Sequence, residues 1–136
     1  MGAQIDWASL SKQAWAVREQ AYAPYSKFAV GAALLSESGE IYLGCNVENI
    51  SFGLTICAER NAVTAAIQAG RRKFSGIAIV ADTETPVVPC GACRQFLAEF
   101  NPALPIYAAG RGGVSQCWLL SQLLPSPFEG IAVGVS

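Results

Sequence analysis

Cys57-Ala58-Glu59 and Pro89-Cys90-Gly91-Ala92-Cys93 restrict the possible folds of this chain more than any other feature. Cys57 and Cys90 each stand where the sequence turns helical, and Cys93 lies one turn beyond Cys90. A C-x-x-C spacing puts two sulfurs at i and i+3 on one helix face, so both can reach one metal ion. With Cys57 on the same ion, the starts of two helices must meet. Structural zinc is held by four protein ligands, whereas catalytic zinc leaves one position to water. Three cysteines suit the second case, and Glu59 is spaced to handle that water's protons. Helix N-termini add about half a positive charge and free N–H groups. Both favour the thiolate, which is the ligating form.

A redox pair or two buried thiols are the plainer readings of a C-x-x-C. A thioredoxin-like motif follows the first strand of a βαβ unit; this one comes late, with a third cysteine at another helix start. Cys45 and Cys117 are the remaining candidates for a fourth ligand. If either closed the site, the zinc would be structural. Three thiolates on Zn²⁺ also leave a formal charge of −1, which weakens its effect on water. Arg60, next to Glu59, is placed to hydrogen-bond a cysteine sulfur and withdraw that charge.

The rest of the chain narrows the class. At 136 residues it has the size of one domain, here residues 1–136, with enough chain for a core. Charged residues are 14% against 52% hydrophobic, which excludes a disordered chain and points to some apolar surface covered by other subunits. The net charge of −1 argues against a nucleic-acid partner. Arg71-Arg72-Lys73, the one basic cluster, follows Gly70 and reads as a solvated helix end. Residues 1–13 lack the basic-then-apolar pattern of a signal peptide. Met1-Gly2 resembles a myristoylation start, but Asp6 stands where Ser or Thr belongs. No apolar run reaches the ~20 residues of a membrane span. An odd count of five cysteines favours thiols or metal ligands over disulfides. The expected location is cytoplasmic, with no membrane partner.

Periodicity predicts a first helix capped by Asp6, with Trp7, Leu10, Ala14, Val17 and Ala21 on one face and Ala23-Pro24 at its end. Phe28 to Leu35 and Ile41 to Val47 read as a hairpin across Ser36-Glu37-Ser38-Gly39-Glu40. Helices follow over 57–69 and 90–100, alternating with strands over 76–81 and 104–109. Trp118 to Leu124 reads as a short helix, stopped by Pro125 and Pro127. This order predicts an α/β fold, a mixed sheet with helices on both faces.

Four blocks in order resemble the cytidine deaminases. They are residues 25–33 (Tyr25-Ser26-Lys27-Phe28 onward), 44–49 (Gly44-Cys45-Asn46-Val47-Glu48-Asn49), 53–60 and 89–95. The resemblance runs from about Tyr22 to Phe128, and the all-cysteine ligand set is similar to the short, homotetrameric branch of the family. It implies a three-layer α/β/α fold with a five-stranded mixed sheet. It implies one Zn²⁺ per subunit on Cys57, Cys90 and Cys93, with Glu59 as proton carrier. It also implies that Asn46 and Glu48 hold the ribose hydroxyls. Phe28 would pack on the pyrimidine and the Ala58 backbone would contact the base. Phe52 and Phe128 would be aromatics lent by neighbouring subunits; many relatives carry Tyr at position 52. These residue types suit a nucleoside, because vicinal hydroxyls donate well to a carboxylate, and an amide both donates and accepts. The implied reaction is hydrolytic deamination of cytidine and 2′-deoxycytidine, in pyrimidine salvage. Glu59 would carry a proton from an activated water to N3 and then serve the departing ammonia. Three other readings compete. An aminonucleoside-antibiotic deaminase of the blasticidin type would share the cysteines and Glu59. A polynucleotide deaminase would need a basic groove. A non-enzymatic zinc-binding module would release no ammonia.

Overall fold

The computed structural model describes residues 4–130. Five strands form one mixed sheet in the order β2-β1-β3-β4-β5. They are β1 (Val30–Ser36), β2 (Ile41–Cys45), β3 (Phe74–Ala81), β4 (Pro105–Ala109) and β5 (Ser115–Leu119). Only β3 and β4 run parallel; the other neighbours are antiparallel. Helix α1 (Trp7–Arg18) covers one face; α2 (Ala58–Gln68), α3 (Gly91–Ala98) and the short α4 (Leu120–Leu123) cover the other. The protein is therefore a three-layer α/β/α fold on a five-stranded mixed sheet.

Strand residues alternate between the two layers, as the period of two requires. Leu34, Ile77, Ile79 and Ile106 join Val63 of α2 and Leu97 of α3 in the larger core. Ala33, Ala78 and Val80 meet Leu10 and Ala14 of α1 in a smaller one. Glycines let both layers approach closely. A side chain at Gly31 would stand 2.0 Å from the Ala14 carbonyl oxygen. One at Gly44 would stand 2.3 Å from the Ala58 carbonyl oxygen and 2.4 Å from the Ala62 nitrogen. Gly44 thus seats the first turn of α2 directly on β2.

Several boundaries depart from the sequence reading, among them the start of β3 at Phe74 and the end of α3 at Ala98, and four departures have a tertiary reason. Helix α1 is capped by Asp6, whose Oδ1 accepts from the Ser9 amide at 3.1 Å, but it stops at Arg18. Beyond it, Tyr22 donates to the Asn46 carbonyl and accepts from Glu48, both at 2.9 Å, which pulls the chain out of the helix. Phe28 lies before β1 rather than in it, because Lys27 turns the backbone at φ 61°. Strand β2 ends at Cys45, and Val47 instead bridges Tyr22 and Ile56. The tail helix expected over Trp118 to Leu124 begins late: Trp118 and Leu119 belong to strand β5 (Ser115–Leu119), which pairs with β4, and only Leu120–Leu123 is helical. Leucines at helical spacing hid a strand that exists only because β4 offers a free edge. The Met1-Gly2 start lies outside the described residues. No helix among those described is long and apolar enough to cross a membrane.

Candidate active site

The ends of β1, β2 and β3 that meet at Val30, Cys45 and Ala81 lie side by side, since β1 is antiparallel to both neighbours. A cleft of about 240 Å³ opens there. That is below the ~300–1,000 Å³ usual for drug-sized ligands, which limits it to one small molecule. It lies at the carboxyl end of parallel β3, where open α/β sheets bind ligands.

Two helix starts converge on the cleft. Cys57 is the N-cap residue of α2 and Cys90 that of α3. Their sulfurs are 3.9 Å apart, and with Cys93 all three lie within 4.8 Å of one another. A Zn–S length of about 2.3 Å in tetrahedral geometry places sulfurs ~3.8 Å apart, so the spacing fits zinc. Cys45 sits in β2 and Cys117 in the exposed edge strand β5, and neither joins the cluster.

The proton chemistry of the donors points the same way. The Cys57 thiol is drawn down to about 5, first by its hydrogen bond with Cys93 and then by Arg60. Cys93 is pushed upward by the same bond and by burial. One thiolate is stabilised at the other thiol's expense, because three adjacent anions repel without a cation among them. A dication removes that conflict. Arg60 donates from Nη2 to the Cys57 sulfur at 3.5 Å and to the Thr55 carbonyl at 3.3 Å. The Cys90 sulfur also accepts from the Cys93 amide at 3.5 Å, inside the first turn of α3.

Glu59 is 5% exposed, yet it lines the cleft together with Cys57, Ala58 and Cys90. Burial pushes its carboxyl up to about 7. A buried carboxylate is costly, and one that persists in a cleft is paired or takes part in chemistry.

Phe28, Asn46 and Glu48 also line the cleft. Asn46 is buried and knits the strand ends: its Oδ1 accepts from the Val30 amide at 2.9 Å and its Nδ2 donates to the Phe28 carbonyl at 2.7 Å. Glu48 accepts from the Tyr25 and Ser26 amides at 3.0 and 3.1 Å, and from the Ser26 hydroxyl. The Ser26 hydrogen bond leads the causes that hold its carboxyl below the usual range. Phe52 and Phe128 stand outside the cleft of their own chain, 71% and 74% exposed. Gln95 grips the Phe128 backbone through both amide atoms, at 2.9 and 3.0 Å.

Sequence reasoning passed over Ser26, Ile79, Val87 and Val88, which also line the cleft. Periodicity carries no signal for them. Gly44 was detectable, since a glycine inside a strand marks close backbone approach.

Fold and cleft together define a class: an α/β protein with a three-cysteine cluster able to hold a metal ion beside a buried acid. Residues 6–109 match the family described as "Cytidine and deoxycytidylate deaminase zinc-binding region". The chain is 50% identical to a cytidine deaminase of Sporosarcina psychrophila over 126 residues, covering 92% of this chain and 93% of the relative. A crystal structure of cytidine deaminase from Burkholderia pseudomallei superposes with a TM-score of 0.88 at 45% identity, covering 91% of this chain and 100% of that one. The Mycobacterium tuberculosis cytidine deaminase structure gives 0.82 at 40%, covering 94% and 100%. The chain belongs to this zinc-binding deaminase family.

Proposed function

We propose that residues 1–136 act as a single deaminase domain. It hydrolyses the exocyclic amine of cytidine and 2′-deoxycytidine, yielding uridine or 2′-deoxyuridine and ammonia. The observation that carries this reading is Glu59: a buried acid at about 7, in the first turn of the helix that Cys57 caps, sharing a small cleft with the cysteine cluster. Cys57, Cys90 and Cys93 would hold zinc, which when bound supplies Lewis acidity to make water nucleophilic near neutral pH. Glu59 takes a proton from the water as base and passes it to N3 of the ring. It then takes the second proton, from the hydroxyl added at C4, and delivers it to the amine, which leaves as ammonia while C4 becomes a carbonyl. A carboxyl poised near 7 is neutral and ionised in turn without a large cost either way. Arg60 drains charge from Cys57. Phe28 offers the base an apolar wall, and the Ala58 backbone lies at the cleft beside it. Asn46 and Glu48 take the sugar hydroxyls, using donor and acceptor capacity that their backbone contacts leave unspent.

Absorbance loss with cytidine, alongside ammonia release, before and after a chelator tests the activity. Glu59→Ala should keep its zinc and lose nearly all turnover; a zinc-loaded variant with full activity overturns the role of Glu59. The cell process on this reading is pyrimidine salvage in the cytoplasm, with no nucleic-acid or membrane partner. The assembly is a homotetramer whose sites are completed by neighbouring subunits. Phe52, Ile50, Leu54 and Phe128 support this, all at least 66% exposed and apolar. Sedimentation gives the subunit number, and a monomer with full activity would refute the shared site.

A further inference from the structure

The Glu48 carboxylate is held by a segment more than twenty residues earlier in the chain. Its backbone is fixed by the Glu48 N–H to Tyr22 carbonyl bond at 2.9 Å. Its side chain is fixed by residues 25–26. Oε1 accepts two amides, and Oε2 accepts the Ser26 hydroxyl proton. The same Ser26 oxygen accepts the Phe28 amide at 3.0 Å. A hydroxyl has one proton and two lone pairs. With a lone pair committed to Phe28, the proton is left aimed at Glu48. The turn is itself constrained: Lys27 adopts the left-handed region at φ 61° and donates to the Ala23 carbonyl at 3.0 Å. A non-glycine residue adopts that conformation only where surrounding contacts enforce it. Ser26 also lines the cleft beside Phe28 and Glu48.

We propose that Ser26 is a positioning residue that orients the Glu48 carboxylate toward the sugar of the substrate. This rests on the assignment of Glu48 to the sugar hydroxyls. Three of the roughly four acceptor sites of Glu48 are taken by the 25–26 turn. The turn therefore decides where the remaining one points. Without the hydroxyl, Oε2 is free to rotate to solvent, and a sugar hydroxyl meets a mobile partner instead of a fixed one.

The test compares cytidine with 2′,3′-dideoxycytidine, which lacks both ring hydroxyls and is read as a competitive inhibitor. Ser26→Ala should raise KM for cytidine about tenfold with kcat within about twofold, the effect of losing a hydrogen bond to a charged group. Its Ki for the dideoxy compound should change less than about twofold. Ser26→Thr should restore KM. If Ser26→Ala does not fold, Ser26→Cys keeps the shape with a weak donor and should shift KM in the same direction. In the double variant with Glu48→Ala, removing the Ser26 hydroxyl should add nothing. Equal losses on both ligands, or additive losses in the double variant, overturn the proposal. Glu48→Ala alone separates the two claims. An unchanged KM there refutes the sugar role of Glu48, whereas a raised KM with a normal Ser26→Ala refutes the role of Ser26.

Discussion

The two faces of the sheet use the same device for different ends. On one face Gly31 lets α1 settle against β1, and the layer it closes is small and alanine-rich. On the other Gly44 lets α2 settle against β2, but the turn it seats begins with Cys57, Ala58 and Glu59. The first contact stabilises the fold. The second also sets the position of Cys57 and Glu59 relative to α3, which comes from a different part of the chain. Close helix–sheet packing therefore matters twice on the α2 face, and only once on the α1 face.

Breaking each contact should separate these roles. Gly44→Ala forces a Cβ into the backbone of α2 and should abolish both zinc retention and deamination, read by metal content and turnover on the folded fraction. Gly31→Ala should cost about 3 kcal/mol in urea unfolding, an overpacking effect, while zinc per folded molecule stays unchanged. If Gly31→Ala also lost zinc, the faces would not be independent. Within the α2 face, Arg60→Ala should lower zinc affinity about 10-fold, as losing a group that supports a metal ligand does. Competition with a chromogenic chelator measures it, and unchanged affinity and turnover would dismiss Arg60.

The smallest effect lies at the far end of α2. Arg71 makes a bidentate contact with Glu40 of the β1–β2 turn, both distances 2.9 Å. Ser38 first, then Arg71 and Ser36, lower the Glu40 carboxyl from 4.5 to about 2. A depressed carboxyl contributes stability that is present above its unfolded value and lost as pH falls through its folded one. The window is therefore pH 4.5 down to about 2. Glu40→Gln should flatten acid unfolding in that window by lowering stability at neutral pH and not below about pH 2, and the loss should be small because the group faces solvent. An unaltered acid transition would show that the contact contributes nothing.

Much of this was readable in the chain. The cysteine spacing identified the metal cluster and its helix starts. Asp6, Gly39 and Gly70 marked real boundaries, Gly39 and Gly70 at φ 98° and 88°. Phe28, Asn46 and Glu48 do line the cleft. The charge of three thiolates pointed to Arg60, which does contact Cys57. What was not readable depends on partners distant in sequence. Strand β5 exists by pairing with β4, and α1 stops because Tyr22 bonds to residues 46 and 48. Ser26 looks like an ordinary loop serine until Glu48 folds against it.

The amino-acid sequence by itself determined the donor set, the acid beside it and the alternation of helices and strands. These follow from local spacing, which a helix or strand converts directly into a shared face. Only the tertiary structure decided that Glu59 is buried, that its carboxyl stands near 7, and that Ser26 fixes Glu48. Burial and orientation come from what the rest of the chain places around a residue, and no local pattern encodes them.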